Sequence, residues 1–178
     1  MTERSVTLEL VGTSLVVPIG VPGSGKTTLL TGAAARLGDP AFRFGADDVR
    51  QLAFGSRQVQ GNPAAVHGVA RAVVALRLSS GLSAAYDATS VNARDRAVLV
   101  ELARKNRANP VALIFAAGPY VAKDRNASRP PESRVPEEVI DRMSRPLEQV
   151  SAQSLVREGF SDVYVIDQSV TEIEIRIA

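Results

Sequence analysis

The chain has 178 residues, 45% hydrophobic and 22% charged, a balance that fits one ordinary globular domain over 1–178 with a full core. It has no cysteine and one histidine, His67, which excludes disulfides and thiolate metal sites and argues against a histidine-based one. The net charge of +2 is compatible with an anionic partner without demanding one. The start, Met1-Thr2-Glu3-Arg4-Ser5, has no signal-peptide pattern, and no apolar run reaches membrane-spanning length. A cytoplasmic location with no membrane partner is expected.

Val6–Leu10 alternates apolar and polar as a half-buried strand does, and Gly12-Thr13 signals a turn into the apolar run Ser14–Ile19. The pattern predicts a hairpin, with an antiparallel strand beside the second strand. Gly20-Val21-Pro22-Gly23-Ser24-Gly25-Lys26-Thr27-Thr28 follows and fits G-x-x-x-x-G-K-[ST]. A helix over Thr28–Leu37 completes the strand, glycine loop and helix that this motif requires. Glycines let backbone N–H groups turn inward on an anion, and the helix adds its positive end. Lys26 reaches the β and γ phosphates, and the Thr27 hydroxyl suits Mg²⁺. A bound nucleoside triphosphate, ATP or another, is the expectation.

After Gly38-Asp39-Pro40, residues 41–44 read as a short second strand ending at Asp47, Asp48 and Arg50. Gly55–Gly61 is a polar loop. Asn62-Pro63 caps a helix whose apolar face runs from Val66 to about Leu78. Leu82–Tyr86 is a strand delivering Asp87, then Thr89 and Asn92, and Asn92 with Asp95 starts a helix to about Lys105. Pro110–Phe115 is a strand, Pro119–Arg125 a short helix, and Ser128–Arg134 a proline- and arginine-bearing loop. A helix from Pro136 is interrupted at Pro146, and another ends at Gly159. Asp162–Ile166 is a buried strand and Glu172–Ile177 an edge strand. The alternation predicts an α/β fold, a mainly parallel sheet with helices on both faces, whose strand ends meet in one cleft.

That cleft would gather the glycine loop, Asp47, Arg50, Asp87, Thr89 and the arginines 125, 129 and 134, a set suited to phosphoryl transfer to a hydroxyl. Asp47 fits a general base or a helix cap equally by spacing alone, with Asp48 able to do the capping. Arg50, one turn on, suits an acceptor carrying its own phosphate, or a surface ion pair. Asp87 suits a place near Mg²⁺ more than a turn cap. The arginine loop reads as a lid over ATP or as a solvated basic face. His67 reads as a surface or packing residue, and Tyr86 and Tyr164 as core.

Four blocks together resemble the polynucleotide 5′-kinase family, found as phage end-healing enzymes and as the kinase module of bacterial RNA-repair proteins. They are Gly20–Thr28; Asp47-Asp48-Val49-Arg50; Tyr86-Asp87-Ala88-Thr89-Ser90-Val91-Asn92; and Arg125-Asn126-Ala127-Ser128-Arg129, continuing through Val135-Pro136-Glu137-Glu138-Val139-Ile140. Arg157-Glu158-Gly159-Phe160 adds to the likeness, which spans about Leu15 to Ile166. The resemblance implies transfer of the ATP γ-phosphate to a 5′-hydroxyl on a single-stranded or end-exposed RNA or DNA, by a chain that fits either a stand-alone enzyme or a kinase domain working with further repair domains or subunits.

In that family the position of Asp47 is the base and that of Arg50 binds the phosphate on the acceptor's 3′ side. Arg129 falls where a lid arginine contacts the ATP phosphates, Arg125 where a second does, and the lid covers about 125–136. Gly20, Gly23, Ser24, Gly25, Lys26, Thr27 and Thr28 match the ATP loop, Thr27 the metal ligand, and Asp87 and Thr89 the acceptor side. Ser90 stands where asparagine is often found, and no D-x-D-x-T phosphatase motif is present. Two rival expectations remain: a kinase of a small molecule such as an antibiotic, sugar or nucleotide-sugar, and a non-catalytic nucleotide-binding module.

Overall fold

The computed structural model describes residues 4–178; the first three, part of the start read above for a signal-peptide pattern, lie outside the described residues. In chain order the elements are β1 (Arg4–Leu10), β2 (Ser14–Ile19), α1 (Lys26–Arg36), β3 (Arg43–Gly45), α2 (Ala46–Phe54), α3 (Pro63–Ser79), β4 (Ala84–Asp87), α4 (Ala93–Lys105), β5 (Asn109–Phe115), α5 (Pro119–Ala127), α6 (Glu137–Leu147), α7 (Ala152–Glu158), β6 (Asp162–Ile166) and β7 (Val170–Ile177). Five strands form a wholly parallel sheet in the order β3-β4-β2-β5-β6.

The sheet divides the core by side-chain alternation. Leu15, Val17 and Ile19 of β2 face α3, α4 and α7 through Val66, Val74, Leu99 and Leu155. Val16, with Val111 and Leu113 of β5, faces α1 through Leu30, Ala33 and Ala34. Helices on both faces are the covering that a parallel sheet requires.

β1 corrects the expected hairpin. It pairs parallel with β7, in a separate two-stranded ribbon, from Ser5↔Glu172 to Leu10↔Ile177. β2 has no edge to offer, because β4 and β5 already pair with it on its two sides. Leu8 and Leu10 are instead fully buried beside α1. The tail is therefore a strand as expected, but of the ribbon and not of the main sheet. The strand expected at residues 41–44 also shifts. Pro40–Phe42 is a 3-10 turn, and β3 begins at Arg43.

The strands place their carboxyl ends on one side, where the loops after β2, β3 and β4 converge. Gly45 makes the β3–β4 approach close: paired with Asp87, it has room for no Cβ, which would lie 2.3 Å from the Asp87 carbonyl oxygen. Gly23 does the same for α5, where a Cβ would meet the Ala122 carbonyl oxygen at 2.2 Å, and its φ of +84 already favours glycine. α5 thus lies directly on the glycine loop.

Candidate active site

The glycine loop leaves β2 at Gly20, whose N–H donates to the Thr89 carbonyl at 2.9 Å and ties it to the segment after β4. Gly25, at φ 99, turns the chain into α1, whose first turn holds no acidic side chain. Its free N–H groups and positive end are left for an anion. Lys26 Nζ donates to the Val21 carbonyl at 2.6 Å and to Ser24 Oγ at 3.1 Å. Burial pushes the Lys26 ammonium down from 10.5 to about 8; Asp87 opposes the shift and Arg129 adds to it.

A cleft of ≈ 320 Å³ lies over this loop. Lys26, Thr27 and Thr28 line it, with Asp47, Asp48 and Arg50 of α2, Asp87 at the end of β4 and Thr89 after it, His67 of α3, and Arg129. Sequence-distant residues from five segments therefore share one cavity: the four that the strand-end reading gathered, and α3, which brings His67. Five expected residues stand outside its lining. Gly20 and Ser24 belong to the loop but do not line the cleft, and Arg125 lies behind it, with Nη1 3.5 Å from the Ser24 carbonyl oxygen. Arg134 donates through Nε to the Arg129 carbonyl at 2.8 Å, and Asn92 sits at the start of α4 away from the cleft.

The ambiguity between Asp47 and Asp48 resolves through hydrogen bonds. Asp48, third in α2, reaches back to accept the Gly45 N–H at 2.8 Å and so does the capping. Its other oxygen accepts from Arg43 at 2.7 Å. Asp47 has no capping duty. Its carboxylate is 65% exposed in the cleft and pairs with Arg50 Nη1 at 2.7 Å, while Arg50 itself is 11% exposed.

Arg43 escaped the sequence reading, which took it for a strand residue. Its guanidinium joins Asp48 Oδ1 and Asp87 Oδ2, each at 2.7 Å. Burial works against that charge, but the two carboxylates prevail and raise its pKa. The signal available was an arginine two residues before Gly45, on the same strand face; its partner across β4 is visible only once the strands pair. Asn126 also went unassigned. It is buried at the foot of the arginine loop, where it donates to the Val135 carbonyl at 2.7 Å and accepts the Val135 N–H at 3.0 Å. This clasp closes the segment that carries Arg129. His67, expected as a surface or packing residue, shares a 2.7 Å hydrogen bond with the Tyr86 hydroxyl. Burial, then Arg50 and Arg71, hold His67 below its ordinary value.

A family model described as an AAA domain matches residues 15–150. The chain belongs to that family. Among solved structures, this AAA domain is similar to a chain of the Pnkp1/Rnl/Hen1 RNA repair complex, with 21% identity and a TM-score of 0.67. That match covers 77% of this chain and 44% of the other, so this chain spans less than half of that relative's length. It is also similar to a sugar kinase from Janibacter sp. HTCC2649, with 21% identity, a TM-score of 0.57 and coverage of 87% of this chain and 85% of that one. Kti12 from Chaetomium thermophilum, in complex with ADP-AlF3, matches at 17% identity and a TM-score of 0.56, over 86% of this chain and 89% of that one. No curated protein matches the sequence. The fold is that of the P-loop kinases, built to bind a nucleotide at the glycine loop. No helix among the described residues is long and apolar enough to cross a membrane.

Proposed function

We propose that this AAA domain is an ATP-dependent polynucleotide 5′-hydroxyl kinase working on RNA or DNA ends. The observation that carries the reading is the Asp47–Arg50 pair facing Lys26 and Arg129 across one cleft. A carboxylate joined to a guanidinium suits an acceptor that has a hydroxyl to deprotonate and a phosphate of its own. The likeness to the RNA repair complex chain supports the same choice.

The acceptor's 5′-oxygen attacks the γ-phosphorus while the bond from that phosphorus to the β–γ bridging oxygen breaks. Asp47 takes the hydroxyl proton, and ADP leaves with the bridging electron pair. Lys26 and Arg129 hold the charge on the phosphoryl oxygens, and the arginine loop, about 125–136, closes as a lid. The residues present suit Mg²⁺: Thr27 and Asp87 both line the cleft, Arg43 engages Asp87 through Oδ2, and the Thr27 hydroxyl and the other Asp87 oxygen would be the groups to hold the hydrated ion. When bound, the ion neutralises charge on the β and γ phosphates.

The test is transfer of label from γ-labelled ATP to a 5′-hydroxyl oligonucleotide, beside a 5′-phosphorylated control. Label on the first and not the second is expected, and Asp47→Asn should abolish most of it. Absence of label on the oligonucleotide would overturn the reading.

A further inference from the structure

A second cavity, of ≈ 420 Å³, opens beside the cleft between the first turns of α3, the segment after β4, and α4. The two cavities share His67, Ala88 and Thr89, so one extended ligand can occupy both. Ala64, Val98 and Leu99 give the second cavity apolar walls, and Arg71, Ser90 and Asp95 give it polar groups. This mixture suits a flat ring with apolar faces and polar edges.

Ser90 is the telling residue. It is 3% exposed, and its Oγ is buried with no hydrogen-bond partner in the protein. Its backbone is held at φ 45, a conformation uncommon outside glycine. Buried hydroxyls are nearly always partnered, and this unpartnered one belongs to a residue that lines the second cavity, where a polar group of a ligand can supply the partner.

His67 stands between the two cavities. Arg50 lines the cleft on one side of it, Arg71 lines the second cavity on the other, and both depress its pKa after burial does. A neutral imidazole flanked by two guanidiniums suits a ligand with more than one phosphate along its length. A small hydroxyl compound would need the cleft alone.

We propose that the second cavity receives the second nucleotide of the acceptor strand, the one beyond the phosphate held by Arg50. Its base lies against Ala64, Val98 and Leu99, with its polar edge towards Ser90 Oγ and Asp95. Arg71 takes its 3′-phosphate. This subsite rests on the polynucleotide reading above.

The probes are adenosine 3′-monophosphate, which reaches only the first subsite, and a 5′-hydroxyl adenosine trinucleotide, which reaches both. They are tested with the parent chain, Arg71→Ala, and Ala64→Leu, which narrows the cavity from an exposed position in the first turn of α3. Each substitution is expected to lower kcat/KM for the trinucleotide on the order of tenfold more than for the mononucleotide, chiefly through KM. Equal effects on the two acceptors, or none on either, would remove the subsite while leaving the polynucleotide reading intact. Phosphorylation of neither acceptor by the parent would overturn both.

Discussion

Asp47 and Arg50, one turn apart on α2, meet at 2.7 Å in the cleft, and the carboxylate is far more exposed than the guanidinium. An acceptor phosphate arriving at Arg50 competes for the hydrogen bond that Asp47 holds. On the proposed function, binding of the acceptor would therefore free Asp47 next to the hydroxyl it is to deprotonate. Arg50→Ala is expected to raise KM strongly for an acceptor with a 3′-phosphate and much less for a plain nucleoside. Steady-state kinetics on the matched pair check this, and equal losses would remove the assigned contact.

Asp47→Asn keeps the size of the side chain and removes the proton acceptor. Its kcat is expected to fall by about 10²–10⁴, the usual contribution of a positioned base. Arg129→Ala is expected to cost about 10³–10⁵, as for a transition-state arginine, with Arg129→Lys restoring little. Single-turnover rates at saturating ATP separate these effects from weakened binding.

Lys26 gives a pH signature. Between pH 8 and 10.5 the unfolded chain still holds the lysine proton that the folded chain has released. Stability therefore rises with pH across that window, by about 3 kcal/mol from this group. Below pH 8 its penalty is constant. Urea unfolding at pH 7.5, 9 and 10.5 should show the rise in the parent and its loss in Lys26→Met. ATP binding near pH 8 should also take up about half a proton, because the phosphates restore the charged form. Calorimetry in buffers of different ionisation enthalpy reads that uptake.

Arg43 holds Asp48 and Asp87 together, with side chains 13%, 17% and 7% exposed. Arg43→Leu leaves two carboxylates largely buried without their partner and is expected to destabilise the fold by about 3–5 kcal/mol. Denaturant unfolding measures this. The double variant Arg43→Leu with Asp87→Leu is expected to recover part of the loss, because fewer unpaired charges remain.

The glycine loop was legible in the sequence because its chemistry is local: Gly23 and Gly25 at positive φ, then Lys26 and Thr27 opening a helix. The parallel sheet was legible from the strand and helix periods. Which of Asp47 and Asp48 capped α2 was not, since adjacent aspartates satisfy the same spacing and only the Gly45 N–H contact separates them. Arg43 with Asp87, and Asn126 with Val135, depend on pairings that no local pattern encodes. The hairpin expectation failed for a related reason. A turn signal at Gly12-Thr13 says that the chain bends there, but not that both edges of β2 are already occupied.

The most direct measurement is a competition. The protein is given γ-labelled ATP, Mg²⁺ and equal concentrations of a 5′-hydroxyl oligonucleotide, a sugar, gluconate and shikimate, and the labelled products are separated. Label is expected on the oligonucleotide 5′-end in preference to the small hydroxyl compounds, with Asp47→Asn transferring little to any of them. Label on a small compound with none on the oligonucleotide would contradict the assignment of Asp47 and Arg50 to a nucleic-acid acceptor.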